Sequence, residues 1–288
     1  MESLGLKRFI PRRWSRGSRG EETDLLSVPQ RLRRTLEELG PTYVKLGQIL
    51  STRPDILPPD YIVELSKLLD AAPPAPVDEI VKTIEAEFGA PLDTLYAHFE
   101  REPIASASIG QVHRATLSDG TKVVVKVQRP GVEPTIQADL SLLSAQARFL
   151  AARSETLAAY GLADLVQEFS QALRDELDYT SEGRNVDRLR SLIHARNGGV
   201  DDVLIPEVHW PLTTRRVITL GDLEGIELVK RERLLAAGYD LAVIAERVVR
   251  IYLDMVFAQG VFQADPHPAN ILVCDGRIGL VDFGVVGY

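Results

Sequence analysis

The stretch "QADPHPANILV", residues 263–273, puts a carboxylate, two prolines, a histidine and an amide ahead of an apolar strand; it is followed by "VDFGVVG", residues 281–287. Asp265 and Asn270 stand five positions apart. An aspartate can accept or orient the proton of a nucleophile, and an asparagine oxygen is a hard, neutral ligand for a cation. Pro266 and Pro268 fix two backbone φ angles, so the loop is stiffened. His267 is a second candidate base, although a histidine in such a loop more often bonds the loop backbone. Asp282 follows a strand, precedes glycines and lies twelve residues after Asn270, with a turn signal, "DGR" at 275–277, between them. That spacing suits a carboxylate that chelates a metal bridging phosphates.

Upstream, residues 103–128 read as strand, loop, strand, turn, strand. Val123, Val124, Val125 and Val127 are β-branched, and "SDGT" at 118–121 is a hairpin signal. Lys126 sits among these valines. It is either an outward lysine on an exposed edge or a partly buried ammonium that needs phosphate or carboxylate partners. The loop before it, "PIASASIGQVHRA" at 103–115, contains Ala105, Ser106, Ala107, Ser108 and Ile109 before its one glycine, Gly110. Small residues leave room for backbone N–H groups near phosphates but restrict positive φ, so this loop should be stiffer than a glycine-rich one.

Helical spacing returns over 134–152 and 162–195. The second helix carries Glu182, the partner expected for Lys126, with Asp178 four residues earlier on nearly the same face and Glu176 turned away. Two short strand candidates, "VLIPEV" and "RRVITL", lie within 203–220. A helix over 240–259 places Ile244, Val248, Ile251 and Met255 on one side. Residues 28–70 are helical, interrupted at Gly40-Pro41, and "AAPPAPVDE" at 71–79 is a proline-rich joint before a short amphipathic helix.

The composition is that of an ordinary globular chain, 45% hydrophobic and 26% charged over 288 residues. One cysteine, Cys274, excludes an intrachain disulfide and a cysteine-based zinc site. The net charge is −8, yet the first twenty residues carry +5, leaving −13 for the rest. That acidic body argues against nucleic acid as a partner. The basic start, with Phe9, Ile10 and Trp14, could touch an anionic lipid surface or be a solvated terminus. No apolar run reaches the roughly 18 residues of a membrane span, and no signal-peptide core follows Met1.

The order of these features is that of a protein kinase small lobe and the first part of its large lobe. In detail the chain resembles the ADCK/UbiB atypical kinases, or aarF-domain kinases, linked to coenzyme Q (ubiquinone) biosynthesis. The resemblance spans roughly residues 30–288. It rests on a KxGQ motif in a helical extension (Lys45 to Gln48), an alanine-rich loop (Ala105 to Gln111) and an ExD motif (Glu176 to Asp178). It implies an α+β, kinase-like fold divided into a basic tail (1–27), a helical extension (28–102), a small lobe (103–225) and a partial large lobe (226–288). It also implies ATP and Mg²⁺ as cofactors. Lys126 would pair with Glu182 and the phosphates, Asp265 would be the catalytic-loop aspartate, and Asn270 and Asp282 the metal ligands. Lys45 and Gln48 would fold over the site near Glu176, Asp178 and the nucleotide.

A roofed site would hinder protein substrates, so the resemblance implies an ATPase or a kinase acting on a small, lipid-like molecule, or working with quinone-biosynthesis proteins. The expected location is cytoplasmic, with possible peripheral contact with the inner membrane. Alternatives are a catalytically weak nucleotide-binding regulator and, last, an aminoglycoside-type phosphotransferase, which lacks the KxGQ extension. Two departures stand out. Gly221-Asp222 replaces the Glu-aromatic pair expected in the adenine-binding segment 217–225, and the chain stops six residues past Asp282. The second suggests a fragment whose 244–255 helix has an uncovered apolar face, and hence poor solubility.

Overall fold

In a computed structural model, residues 26–68, 72–155, 159, 161–194 and 203–287 are described. The basic segment at the start of the chain lies outside them. Two compact units divide after Leu68.

The first unit is three helices, α1 (Val28–Leu39), α2 (Pro41–Ser51) and α3 (Pro59–Leu65). Ser27 starts α1 with a reciprocal capping box: its hydroxyl accepts from Gln30 N–H, and the Gln30 side chain accepts from Ser27 N–H. Gly40, at φ +101°, and Pro41 separate α1 from α2, where the sequence places the interruption. Leu36, Leu65 and Leu68 form this unit's core. The buried Glu64 carboxylate takes bonds from Arg33 (2.8 Å) and Lys67 (2.6 Å), so burial leaves no unpaired charge.

The second unit begins with α4 (Val77–Phe88) and a single turn, α5 (Leu92–Leu95). Then come β1 (His98–Phe99), β2 (Ala105–Ser106), β3 (Gly110–Thr116) and β4 (Lys122–Gln128). Among the described residues, α6 (Val132–Ala151), α7 (Leu162–Glu176) and α8 (Tyr179–His194) follow. β5 (Val203–Leu204) precedes β6 (Val217–Gly221), which completes an antiparallel sheet in the order β1-β3-β4-β6, with β2 also paired to β3. The SDGT turn closes the β3–β4 hairpin, with Gly120 at φ +87° and the Asp119 carboxylate accepting from Thr121 N–H.

β4 is therefore an interior strand, and its pleat decides which side each residue takes. Val123, Val125 and Val127 are fully buried against Ile80 and Ile84 of α4. Lys126 is out of phase with them, on the opposite face.

The rest of the unit is β7 (Ile226–Glu227), α9 (Arg231–Ala236), α10 (Leu241–Asp254) with a π-helical turn over Met255–Gln259, β8 (Phe262–Gln263), β9 (Ile271–Cys274), β10 (Arg277–Leu280) and β11 (Val286–Gly287). A second sheet has the order β5-β10-β9-β7, with β10 parallel to β5; β8 pairs with β11.

Two sequence expectations are corrected. Residues 162–195 do not form one helix. The chain breaks at Leu177-Asp178, where the Leu177 carbonyl accepts from buried Gln128 (2.6 Å) and the Asp178 carboxylate accepts from Thr180 N–H (3.0 Å) and Oγ1 (2.6 Å). Asp178 is thus a cap at the head of α8 rather than a member of one continuous face with Glu182. Nor is the stripe on 244–255 uncovered. Ile244, Ile251 and Met255 are buried in the core with Ile271, Val273, Ile278 and Leu280. The exposed apolar residues lie on another side: Val249, Leu253, Val256 and Phe257.

Candidate active site

Three charged side chains meet on the face of β4 opposite α4. Lys126 Nζ lies 2.9 and 3.1 Å from the Glu182 carboxylate oxygens and 3.6 Å from Asp282 Oδ2. It also sits 5.2 Å from the ring centre of Tyr179, one turn before Glu182 on α8. The Glu182 side chain is 5% exposed and that of Lys126 24%, whereas Asp282, at 46%, opens to solvent. The buried end of the site is closed by the ion pair, and the open end presents a carboxylate.

One ammonium thus faces two carboxylates. Burial acts against the Lys126 ammonium, but Asp282 and Glu182 outweigh it and hold its pKa well above the usual value. Burial pushes the Glu182 carboxyl up; Lys126 pulls it back, while Asp282 repels it. Burial pushes the pKa of the Tyr179 hydroxyl up as well, so it stays protonated.

The β9–β10 hairpin explains the twelve-residue spacing of Asn270 and Asp282. Its register pairs Cys274 with Arg277 and Ile271 with Leu280, and Val281 N–H then donates to Asn270 O at 3.0 Å. Asn270 and Asp282 thus emerge at the same open end of one hairpin. Asn270 Nδ2 donates to Asp265 Oδ2 at 2.9 Å, which leaves the amide oxygen as its donor atom for a cation. His267 Nδ1 accepts from Ala269 N–H, so this ring caps the 3₁₀ turn at Pro268–Asn270. Asp282 has a left-handed backbone, φ +65°, with its carboxylate accepting from Gly284 N–H.

The alanine-rich segment forms a tight hairpin. Ala105 and Ser106 pair with Val112 and Gln111, and Ala107 N–H donates to Gly110 O. A methyl group on Gly110 would stand 2.4 Å from the Tyr179 hydroxyl and 2.8 Å from Val127 O, so glycine is required there by close approach. The Ser108 hydroxyl oxygen is buried without a hydrogen-bond partner. A buried orphan hydroxyl in a loop of small residues can donate to an anion's oxygen, so these residues fit a phosphate.

Among the described residues, no group of three or more His, Cys, Asp or Glu side chains could hold a metal by itself. Asn270 and Asp282 supply two hard oxygens at one end of the β9–β10 hairpin. That suits Mg²⁺, which is commonly bound by one or two protein ligands together with phosphate and water.

Glu176 and Asp178 flank the α7–α8 break, both half-buried. Lys45 and Gln48 lie on α2 in the first unit. There Gly47 admits Leu68 and Leu36 where a methyl group would stand 2.3 and 2.8 Å from their Cδ1 atoms, and Gln48 Nε2 donates to Leu68 O. In segment 217–225, the Asp222 carboxylate accepts from Arg114 Nε (3.0 Å) and Glu224 N–H (2.9 Å).

Three residues of the site were not picked out from the sequence. Arg129 donates to Ala107 O and Ser106 Oγ, both at 2.8 Å, and to Pro73 O, pinning the loop. Gln263, fully buried, and Asn185, on α8, bond the backbone around Asp282. A glutamine two residues before Asp265 and an asparagine three after Glu182 were the available signals.

An antiparallel sheet, a helix whose glutamate pairs with the strand lysine, and a hairpin presenting Asn and Asp define a kinase-like protein. The ABC1 atypical kinase-like domain matches residues 67–288, and the chain belongs to that family. It is 40% identical over 257 residues to the Arabidopsis thaliana chloroplastic protein "Activity of BC1 complex kinase 7", covering 89% of this chain and 36% of that protein. An uncharacterised Clostridium pasteurianum protein, from the 5′ region of hydrogenase 1, is 38% identical over 259 residues, covering 90% and 48%. The chain thus spans between a third and a half of these relatives. Among solved structures, Rv3197 of Mycobacterium tuberculosis, determined with erythromycin, superposes with a TM-score of 0.63 at 29% identity, covering 89% of this chain and 64% of that one.

Proposed function

We propose that this chain is the nucleotide-binding part of a Mg-ATP-dependent phosphotransferase or ATPase that supports quinone biosynthesis by acting on a small, lipid-like molecule. The observation that carries the reading is the convergence of Lys126, Glu182 and Asp282 within 3.6 Å. Glu182 holds Lys126 in place, and the ammonium and the N–H groups of loop 105–110 position the phosphates. Asn270 and Asp282 would hold Mg²⁺, which would supply positive charge against the transferred group. Asp265 orients the attacking hydroxyl or water and takes its proton. The basic start of the chain gives peripheral contact with an anionic membrane surface. No helix among the described residues is long and apolar enough to cross a membrane.

The test is Mg²⁺-dependent ADP release by the full-length protein, compared with Asp282→Asn. The expected result is a loss of at least tenfold; equal rates remove the metal role. A second reading, a nucleotide-binding regulator with little turnover, draws on the loop that Arg129 pins to Ala107 O and Ser106 Oγ. It predicts nucleotide binding without ADP release, and unchanged cellular quinone when Asp265 is replaced.

A further inference from the structure

Three successive backbone carbonyls around the metal-ligand candidate accept from side-chain amides. Gln263 Nε2 donates to Val281 O and to Asp282 O, both at 2.7 Å. Asn185 Nδ2 donates to Phe283 O at 2.9 Å. Gln263 is fully buried, and its own amide oxygen accepts from the Tyr252 hydroxyl of α10, which fixes which way round the amide sits. Phe283 is fully buried. Glu182 and Asn185 are three residues apart on α8, so one turn of this helix carries both the Lys126 partner and the bond to Phe283 O.

The clamp acts on a strained segment. Asp282 is one of three non-glycine residues with positive φ in the described chain, a conformation that disfavours side chains other than glycine's. Released from its partners, this residue would relax toward negative φ and its carboxylate would leave the position 3.6 Å from Lys126. Neither amide borders the open end of the site; each acts through the backbone.

We infer that Asn185 and Gln263 are positioning residues that lock the Asp282 backbone in its strained form and tie it to α8. The inference rests on the proposed metal role of Asp282, and its test separates the two.

The experiment uses the full-length protein with Asn185→Leu, Gln263→Met and Gln263→His, each checked for cooperative thermal unfolding. Backbone hydrogen exchange over residues 281–285 is measured without ligand. Binding of a fluorescent ATP analogue is then titrated with Mg²⁺. Loss of one amide donor is expected to speed exchange of this segment and to raise the Mg²⁺ needed for half-maximal binding roughly five- to tenfold. Analogue affinity without Mg²⁺ stays as in the wild type. Gln263→His, whose ring N–H can serve one carbonyl, recovers part of the effect, and Gln263→Met does not. Wild-type exchange and wild-type Mg²⁺ requirement in both Asn185→Leu and Gln263→Met overturn the inference. If the wild type shows no Mg²⁺ dependence, the metal role of Asp282 fails, and the exchange measurement still decides the clamp. If Asn185→Leu does not fold, the Met–His comparison at 263 decides it.

Discussion

At the scale of the residue, the site depends on buried polar groups that each have a specific partner. Lys126→Met leaves the Glu182 carboxylate, 5% exposed, without its counter-ion. The expected loss is about 3 kcal/mol, because an uncompensated buried charge costs more than the pair contributes. Lys126→Met/Glu182→Leu should recover most of it; urea denaturation of the three proteins measures the coupling. His113 gives a second prediction. Its Nδ1–H donates to Glu100 O, so Nε2 accepts from Gln111, whose amide oxygen in turn accepts from Ala75 N–H. Burial holds this ring below the usual pKa of 6.5 and keeps it neutral. Below pH 6.5 the unfolded chain gains a proton that the folded one refuses, so stability present above 6.5 is lost as pH falls through the depressed value. Urea midpoints measured from pH 7.5 to 5 should fall on the acid side. In His113→Asn, which keeps a donor near the Nδ1 position, that part of the slope should disappear.

At the scale of the element, the close meeting of the alanine-rich hairpin with α8 is the sensitive point. Gly110→Ala drives a methyl into the Tyr179 hydroxyl and Val127 O. Backbone cannot yield as a side-chain end can, so the expected cost is about 2 kcal/mol. Tyr179 also moves off Lys126, and nucleotide affinity should fall with stability. Thermal unfolding and analogue binding measure the two; unchanged values for both reject this packing. The β3–β4 hairpin, the valine strand and the helical character of 162–194 were legible because each follows a local rule: Asp-Gly at a turn, period-2 β-branching, apolar residues four apart. The break at 177–178 was not. Leu173 and Leu177 continue the helical period straight through it. What ends the helix is Asp178 capping Thr180 and Gln128 reaching the Leu177 carbonyl from β4. The second contact spans 49 residues and has no local signature. Arg129, Asn185 and Gln263 were missed for the same reason. Taken alone, each is a polar residue at a strand end, on a helix or in a strand, and only the tertiary arrangement shows which backbone it holds.

At the scale of the whole molecule, the surface carries an apolar patch on the C-terminal half of α10 and its π-helical extension. Val249, Leu253, Val256 and Phe257 follow one another at spacings of four, three and one, and they are 57, 51, 39 and 81% exposed. The buried stripe of the same helix, Ile244, Ile251 and Met255, shows that its core face is already satisfied. These four side chains therefore lie outside the buried core and leave much of their apolar surface to solvent. Contiguous exposed apolar surface drives association, and a net charge of −8 only partly opposes it. Residues 1–288 expressed alone should self-associate through this patch in a concentration-dependent way. Leu253→Lys/Phe257→Lys should shift the protein toward monomer in light scattering. It should change stability by no more than about 0.5 kcal/mol per site, as at other exposed positions. A double variant that aggregates as the wild type does would place the sticky surface elsewhere. One that loses several kcal/mol would show that the two side chains are packed, contrary to their exposure.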